Sequence, residues 1–119
     1  MSHYLFKPRK SFIRDIKYLS KIDRSIVFEI NDAISILKCG EKLPSEFKDH
    51  SLNGLYEGYR ELHIRDTPKD FTASESNDVI VIYKIRYSQL VLIGVHAGSH
   101  DKLFHGPFSR YNKKINHDD

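Results

Sequence analysis

The chain has 119 residues, which is enough for one domain with a single core and too short for two. Hydrophobic residues make up 39% and charged residues 29%, a composition that argues against a disordered chain. No apolar run approaches the roughly 20 residues of a spanning helix. The formal net charge of +3 is compatible with a polyanionic partner but is too small to indicate one.

The N-terminal third predicts a short strand at residues 3–7 followed by two helices. Apolar residues recur at helical spacing in two stretches and charged residues interleave with them, so both stretches predict amphipathic helices. Asp23 is the expected N-cap of the second helix, and Gly40 its expected stop. The short link between the helices predicts an antiparallel helical hairpin. The apolar positions are Phe12, Ile13, Ile16 and Leu19, then Ile26, Val27, Ile30, Ile34 and Leu37.

The rest of the chain predicts a loop and then three strands. Proline and glycine punctuate the loop at residues 43–58, and a polar connection at 65–77 separates the first two strands. Valine and isoleucine dominate the last two strands, which flank a tight turn near Tyr87–Ser88 and therefore predict a hairpin. The strands are expected at 59–64, 78–86 and 89–97.

This order of elements predicts an α+β fold. The N-terminal strand and the two-helix hairpin are expected to pack on a small antiparallel sheet. We expect one domain over residues 1–104 and a C-terminal tail over residues 105–119, where the sequence has no periodicity.

Several histidines lie on segments that strand pairing brings together. His63 ends one predicted strand and Asp78 begins the next, so the two are neighbours in an antiparallel pair. The turn near Tyr87–Ser88 would place Asp78 opposite His96 or Ala97, although a slip of one residue would turn the side chain to the other face.

His100 follows this predicted hairpin closely, and His50 lies on the loop that precedes the strands. Imidazoles gathered around a carboxylate suit acid–base chemistry near neutral pH, because an unperturbed histidine titrates near pH 6.5. The spacing of His96 and His100 also fits two zinc ligands on a helix, but Gly98 interrupts the segment and no cysteine cluster completes a site, so we predict no metal. No serine has the glycine pattern of a nucleophile elbow, which argues against a serine hydrolase.

Three motifs occur in order: KDHSLNGLYEGYRELHI at 48–64, DVIVIYK at 78–84 and HAGSHDKLF at 96–104. Together they resemble the YafQ-like toxins of the RelE/ParE superfamily, over about residues 43–104. The resemblance implies a microbial-RNase-like fold and an endoribonuclease that enters the ribosomal A site and cuts translated mRNA. It also implies inhibition by a cognate antitoxin protein whose C-terminal region wraps the toxin.

The resemblance also implies which residues are functional. His50, His63, Asp78 and His100 match the catalytic positions, and Phe104 matches an aromatic residue expected to stack on a base. Many relatives carry arginine where this chain has His96, so protonated His96 is expected to stabilise the phosphate. Val79 replaces a tryptophan, and the connection at 65–77 is longer than in the relative compared.

The expected mechanism needs no cofactor, because RNA supplies its own nucleophile, the 2′-OH. His100 is the candidate general acid. The candidate general base is His50 or His63, with Asp78 orienting it or sharing its proton. The sequence also allows the acid and base roles to be exchanged. Arg60 and Lys84 are candidates for phosphate stabilisation, and Lys48, Arg65 and Lys102 for RNA contacts.

Two other functions remain open at this stage. ParE-like toxins share the fold but inhibit DNA gyrase, and an inactive RNA-binding module would fit the His96 and Val79 replacements. The histidine cluster argues against the gyrase inhibitor. Cys39 is the only cysteine, so the chain forms no internal disulfide, and we expect a reducing compartment, the cytoplasm.

Overall fold

A computed structural model describes residues 3–105. The predicted tail at 105–119 lies almost wholly outside the described residues. The elements, in chain order, are β1 (Leu5–Pro8), α1 (Lys10–Ile22), α2 (Arg24–Lys38), β2 (His50–Ser51), β3 (Arg60–Arg65), β4 (Val79–Arg86) and β5 (Val91–Gly98), followed by a π-helical turn at Asp101–His105.

The two helices form the predicted hairpin and are joined at Asp23. The Asp23 side chain caps α2 by accepting a hydrogen bond from the backbone N–H of Ser25 at 3.0 Å, as the sequence predicts. Both helices bury an apolar stripe against the sheet, and α1 crosses β5, where the Ser11 hydroxyl donates to the Val95 carbonyl at 2.7 Å.

The five strands form one sheet in the order β1-β5-β4-β3-β2. The predicted α+β class is confirmed, and the last three long strands run antiparallel in sequence order. The first strand, however, pairs with β5 in parallel, so the sheet is mixed. The predicted loop at 43–58 contains one short strand, in which His50 pairs with Glu61.

The sheet has two different faces. Leu62 of β3 and Val81 of β4 face the helices and belong to the main core. Because side chains alternate along a strand, Glu61 and His63 project from the opposite face. That second face carries a smaller apolar cluster, which includes Ile80 and Ile82, and the candidate site lies beside it.

The register of the β4–β5 hairpin differs from the prediction. His96 pairs with Ile82, not with Asp78, and Gly98 pairs with Ile80. The connection is longer than the predicted turn, since a 3₁₀ turn at Tyr87–Gln89 precedes Leu90, which has a φ of 54°. An irregularity between Ile82 and Tyr83 shifts the pairing again.

Among residues 3–105, no helix is long and apolar enough to cross a membrane.

Candidate active site

The centre of the candidate site is the carboxylate of Glu61, which is only 4% exposed. Its Oε2 atom lies 2.9 Å from His50 Nε2 and 3.2 Å from His63 Nε2, so one oxygen accepts hydrogen bonds from two imidazoles. Its Oε1 atom lies 3.6 Å from His100 Nε2, an ion-pair distance beyond hydrogen-bonding range. Three strand and loop segments thus place three imidazoles around one buried carboxylate.

Asp78 fixes the third imidazole. It is the residue before β4, and its Oδ2 atom accepts the backbone N–H of His100 at 2.9 Å. Its Oδ1 atom lies 2.7 Å from His100 Nδ1 and accepts a hydrogen bond from the protonated ring nitrogen. The carboxylate therefore holds both the backbone and the ring of His100 in place, with Nε2 directed towards Glu61.

His63 is held by carboxylates on both sides. Its Nδ1 atom lies 2.6 Å from Asp66 Oδ1, while Nε2 faces Glu61. Since a carboxylate only accepts hydrogen bonds, both contacts are satisfied when both ring nitrogens carry a proton. Lys48 Nζ lies 3.1 Å from the other oxygen of Asp66 and extends this charged chain to the surface.

The surroundings shift two of these pKa values in opposite directions. Glu61 raises the pKa of His100 to about 9, against the opposing effect of burial and with a further contribution from Asp78. Burial by itself would raise the pKa of Glu61, but the imidazoles of His100, His63 and His50 lower it below its usual range. At neutral pH the site therefore contains an ionised carboxylate and a protonated His100.

Aromatic rings border the histidines. The ring of Phe104 lies 6.1 Å from that of His100, centroid to centroid, and 5.7 Å from the ring of Tyr56. Tyr56 is fully buried, so its ring provides a fixed surface against which Phe104 packs. Phe104 is thus placed beside His100.

His96 does not lie in this cluster, which corrects the expected position next to Asp78. It is 4% exposed and its Nδ1 atom lies 2.8 Å from Asp15 Oδ2, on α1. The same oxygen of Asp15 accepts the backbone N–H of Ala97 at 3.0 Å. The structure therefore places His96 between α1 and the sheet, where it joins the two layers.

Arg65 is also turned away from the site. A bulge between His63 and Arg65 inserts one residue, so Arg65 faces the helices although it lies two positions after His63. Its five N–H donors are all used within the protein, which leaves none for a phosphate. The acceptors are Asp23 Oδ2, Ser25 Oγ, Ser76 O and both carboxylate oxygens of Glu29.

We expect Arg65→Ala to lower the free energy of unfolding by about 2 kcal/mol, because several charge-assisted hydrogen bonds are lost together. Urea denaturation monitored by circular dichroism measures this change. The matched control is Arg86→Ala, which removes an exposed arginine at the end of β4. Equal stability of the two variants would contradict a structural role for Arg65.

The other predicted basic residues take different positions. Arg60 faces the helix side, where its Nε–H is shared between Asp49 Oδ1 at 3.2 Å and Tyr83 Oη at 3.3 Å. Lys84 lies on the face of the site, 5.1 Å from the centroid of the Tyr59 ring. Lys102 sits over the Tyr18 ring, with its Nζ 3.5 Å from the centroid. Arg60 is thus not part of the histidine cluster.

The ligand atoms of His50, Glu61 and His63 lie within 4.8 Å of one another, so this donor set is able to hold a metal ion. Two imidazoles and a carboxylate are ligands that zinc and copper accept. The same atoms are joined by hydrogen bonds, which makes the set equally suited to proton transfer.

Glu61 and Asp66 are the site residues that the sequence interpretation missed. Glu61 lies two positions before His63, and period-two alternation along β3 puts both on one face. That alternation was the available signal. The short pairing of His50 with Glu61 gave no signal, since a two-residue strand has no pattern.

The chain was compared with known families and structures. A family model described as the bacterial toxin of a type II toxin–antitoxin system, YafQ, matches residues 4–105. No curated protein sequence matches the chain.

Several solved structures share the fold. A copper-bound mutant toxin from Helicobacter pylori is 30% identical, with a TM-score of 0.67 over 85% of this chain and 99% of that one. YafQ from Escherichia coli is 24% identical, with a TM-score of 0.67 over 85% of this chain and 98% of that one. The Escherichia coli DinJ–YafQ toxin–antitoxin complex gives 24% identity and a TM-score of 0.66 over 86% and 98%.

Proposed function

The chain belongs to the YafQ family of bacterial type II toxin–antitoxin toxins, and we propose that it is an endoribonuclease that cuts translated mRNA on the ribosome. The observation that carries the proposal is the cluster of His50, His63 and His100 around the buried carboxylate of Glu61. These groups provide an acid, a base and positive charge in one place. A gyrase inhibitor has no need of such a cluster.

We assign the general base to His50. In the neutral ring with its proton on Nε2, which Glu61 accepts, Nδ1 is the basic nitrogen. It then has no proton to donate to the Ser51 carbonyl 3.1 Å away and is available to a substrate hydroxyl. The His50 side chain is 49% exposed, so a substrate hydroxyl has access to it. Nδ1 takes the proton of the 2′-OH, and the 2′-oxygen forms a bond to the adjacent phosphorus.

His100 is the general acid. Asp78 and Glu61 keep it protonated at neutral pH, so it has a proton for the 5′-oxygen when the bond from phosphorus to that oxygen breaks. The products are a 2′,3′-cyclic phosphate and a 5′-hydroxyl. Asp78 thus acts as the positioning residue of the acid and not of the base.

His63 is the candidate for stabilising the transition state. Its contacts with Glu61 and Asp66 fix the orientation of the ring, so that its protonated form is placed to stabilise the additional negative charge on the phosphate. Phe104 stacks on a neighbouring base, and Lys48 and Lys84 are candidate phosphate contacts at the edges of the site. All groups of this mechanism are side chains, so it uses no metal cofactor.

We further propose that a cognate antitoxin inhibits the protein in the cytoplasm. The DinJ–YafQ complex shows such a partner for the Escherichia coli protein. Co-purification with the product of an adjacent gene, with an interface that buries at least roughly 1,000 Å², is the expected behaviour of such a pair.

The central experiment maps mRNA ends after the protein is added to a translation reaction. We expect internal cuts that require ribosomes, because the ribosome holds the mRNA in the geometry that the reaction needs. The same mRNA without ribosomes should stay intact at the same protein concentration. Intact mRNA together with inhibited DNA supercoiling would instead identify a gyrase inhibitor.

A chelator selective for transition metals serves as a control in this assay, since it leaves the Mg²⁺ of the ribosome in place. We expect the yield of cuts to stay the same. A loss of cleavage that zinc or copper restores would contradict the metal-free mechanism.

A further inference from the structure

Helix α1 carries four basic residues on its solvent side: Lys10, Arg14, Lys17 and Lys21. All four side chains are exposed. They are spaced by four, three and four residues, and at about 100° per residue they fall within roughly 60° of the helix circumference. With a rise of about 1.5 Å per residue, they form a line roughly 16 Å long, the α1 cationic stripe.

No acidic side chain of α1 balances the stripe. Asp15 is the only acidic residue in the helix, and it turns inward to His96 and Ala97. Within residues 3–105, no ion pair includes any of the four basic side chains. Like charges at these spacings repel one another and disfavour the helix, so the pattern does not serve helix stability.

The stripe lies on the far side of the molecule from the histidine cluster. Phe12 and Leu19 of α1 belong to the same core as Leu62, so α1 packs on the face of the sheet from which Leu62 projects. Glu61 and His63 project from the other face. The sheet therefore separates the stripe from the reaction site, and the two surfaces face in opposite directions.

A nucleic acid duplex has the matching charge. It carries about one negative charge per 1.7 Å of its axis, so any placement of a roughly 16 Å stripe along it meets several phosphates. Double-stranded RNA is recognised mainly through its shape and its phosphates, which a convex helix with a line of cations can contact. An acidic protein helix would need an apolar groove as well, but the exposed apolar residues beside the line, Ile13 and Tyr18, lie on opposite sides of it.

We propose that the α1 cationic stripe docks the protein on the phosphate backbone of double-stranded ribosomal RNA. The inference rests on the proposed action on the ribosome. It adds a second RNA contact on the face opposite the reaction, so that the toxin is held between the mRNA and the ribosomal RNA.

The test compares binding to vacant ribosomes, which contain no mRNA to cut. The stripe variant combines Lys10→Gln, Arg14→Gln, Lys17→Gln and Lys21→Gln. Each lost phosphate contact reduces the slope of log K against log salt by about 0.7–0.9, so the slope should become shallower by about three. At about 0.1 M salt the affinity should fall by roughly 10²–10³-fold.

The matched control removes the same charge elsewhere. Lys38, Lys42, Lys69 and Arg86 are exposed and lie outside the stripe, and their combined replacement by glutamine should change the slope by less than about one. Thermal denaturation checks that both variants are folded. On ribosomes with mRNA, the stripe variant should raise KM and leave kcat unchanged, since the histidine cluster is intact.

Equal slopes for the stripe variant and the wild type, or equal losses in the stripe and control variants, would overturn the proposal. So would a stripe variant that binds ribosomes normally but no longer binds its antitoxin, since the stripe would then serve a protein partner. A wild-type protein that binds ribosomes through the stripe without cutting mRNA would support the docking site while contradicting the nuclease function.

Discussion

We expect His100→Ala to lower the rate of mRNA cleavage by about 10³-fold, the scale of losing a general acid. In the wild type, the pH profile of kcat/KM should fall at alkaline pH near 9, because His100 must be protonated to act and its pKa is raised to about 9. The variant should lose this alkaline limb. Single-turnover cleavage on programmed ribosomes between pH 6 and 10 measures both effects.

Two variants test whether this effect belongs to His100. Asp78→Asn removes the charge 2.7 Å from Nδ1, so the alkaline limb should move to lower pH while the imidazole stays present. His96→Ala changes a buried histidine on the other face of the sheet and should leave the pH profile unchanged in the folded protein. An unchanged rate in His100→Ala would show that another group donates the proton.

The raised pKa of His100 also has a consequence for stability. A group that binds its proton more tightly in the folded state stabilises the fold most at pH below its unfolded pKa, near 6.5. This contribution is lost as the pH rises through about 9. Urea unfolding of the wild type should therefore show a decline in stability between these pH values that His100→Ala lacks.

The second large effect is expected for Glu61→Gln, which keeps the shape of the side chain and removes its charge. Cleavage should fall by about 10³-fold or more, because the carboxylate orients His50 and contributes most to the protonated state of His100. The alkaline limb of the pH profile should also move to lower pH. Cleavage on ribosomes and the pH profile of kcat/KM are the measurements.

Glu61→Gln should also change how stability depends on acid. The pKa of Glu61 is lowered in the folded state, so its charge stabilises the protein above the unfolded pKa and this contribution is lost as the pH falls through the folded pKa. At pH 7 the free energy of unfolding of the variant should be lower than that of the wild type by roughly 1–3 kcal/mol. As the pH falls, the variant should lose less stability than the wild type, because it has no Glu61 charge to neutralise. Glu57→Gln, at an exposed glutamate, is the matched control. Equal cleavage by the Glu61 and Glu57 variants would exclude Glu61 from the mechanism.

Much of the fold follows from local patterns in the sequence. Apolar residues at helical spacing and the cap at Asp23 predict the two helices, and the runs rich in valine and isoleucine predict β4 and β5. These features depend on neighbours a few residues apart, so the sequence contains them directly. The ends of the strands likewise predict that His63 and Asp78 lie at one edge of the sheet. His50 and His100 join them, as the motif order implies.

The tertiary structure decided from which face of the sheet each side chain projects. A bulge after His63 turns Arg65 to the helices, and the longer connection before β5 places His96 opposite Ile82, beneath α1. A single inserted residue reverses every later side chain, yet it leaves the hydrophobic pattern almost unchanged. Glu61 gained its central place because the two-residue strand at His50 pairs with β3 at that point, a contact between segments that no local pattern records.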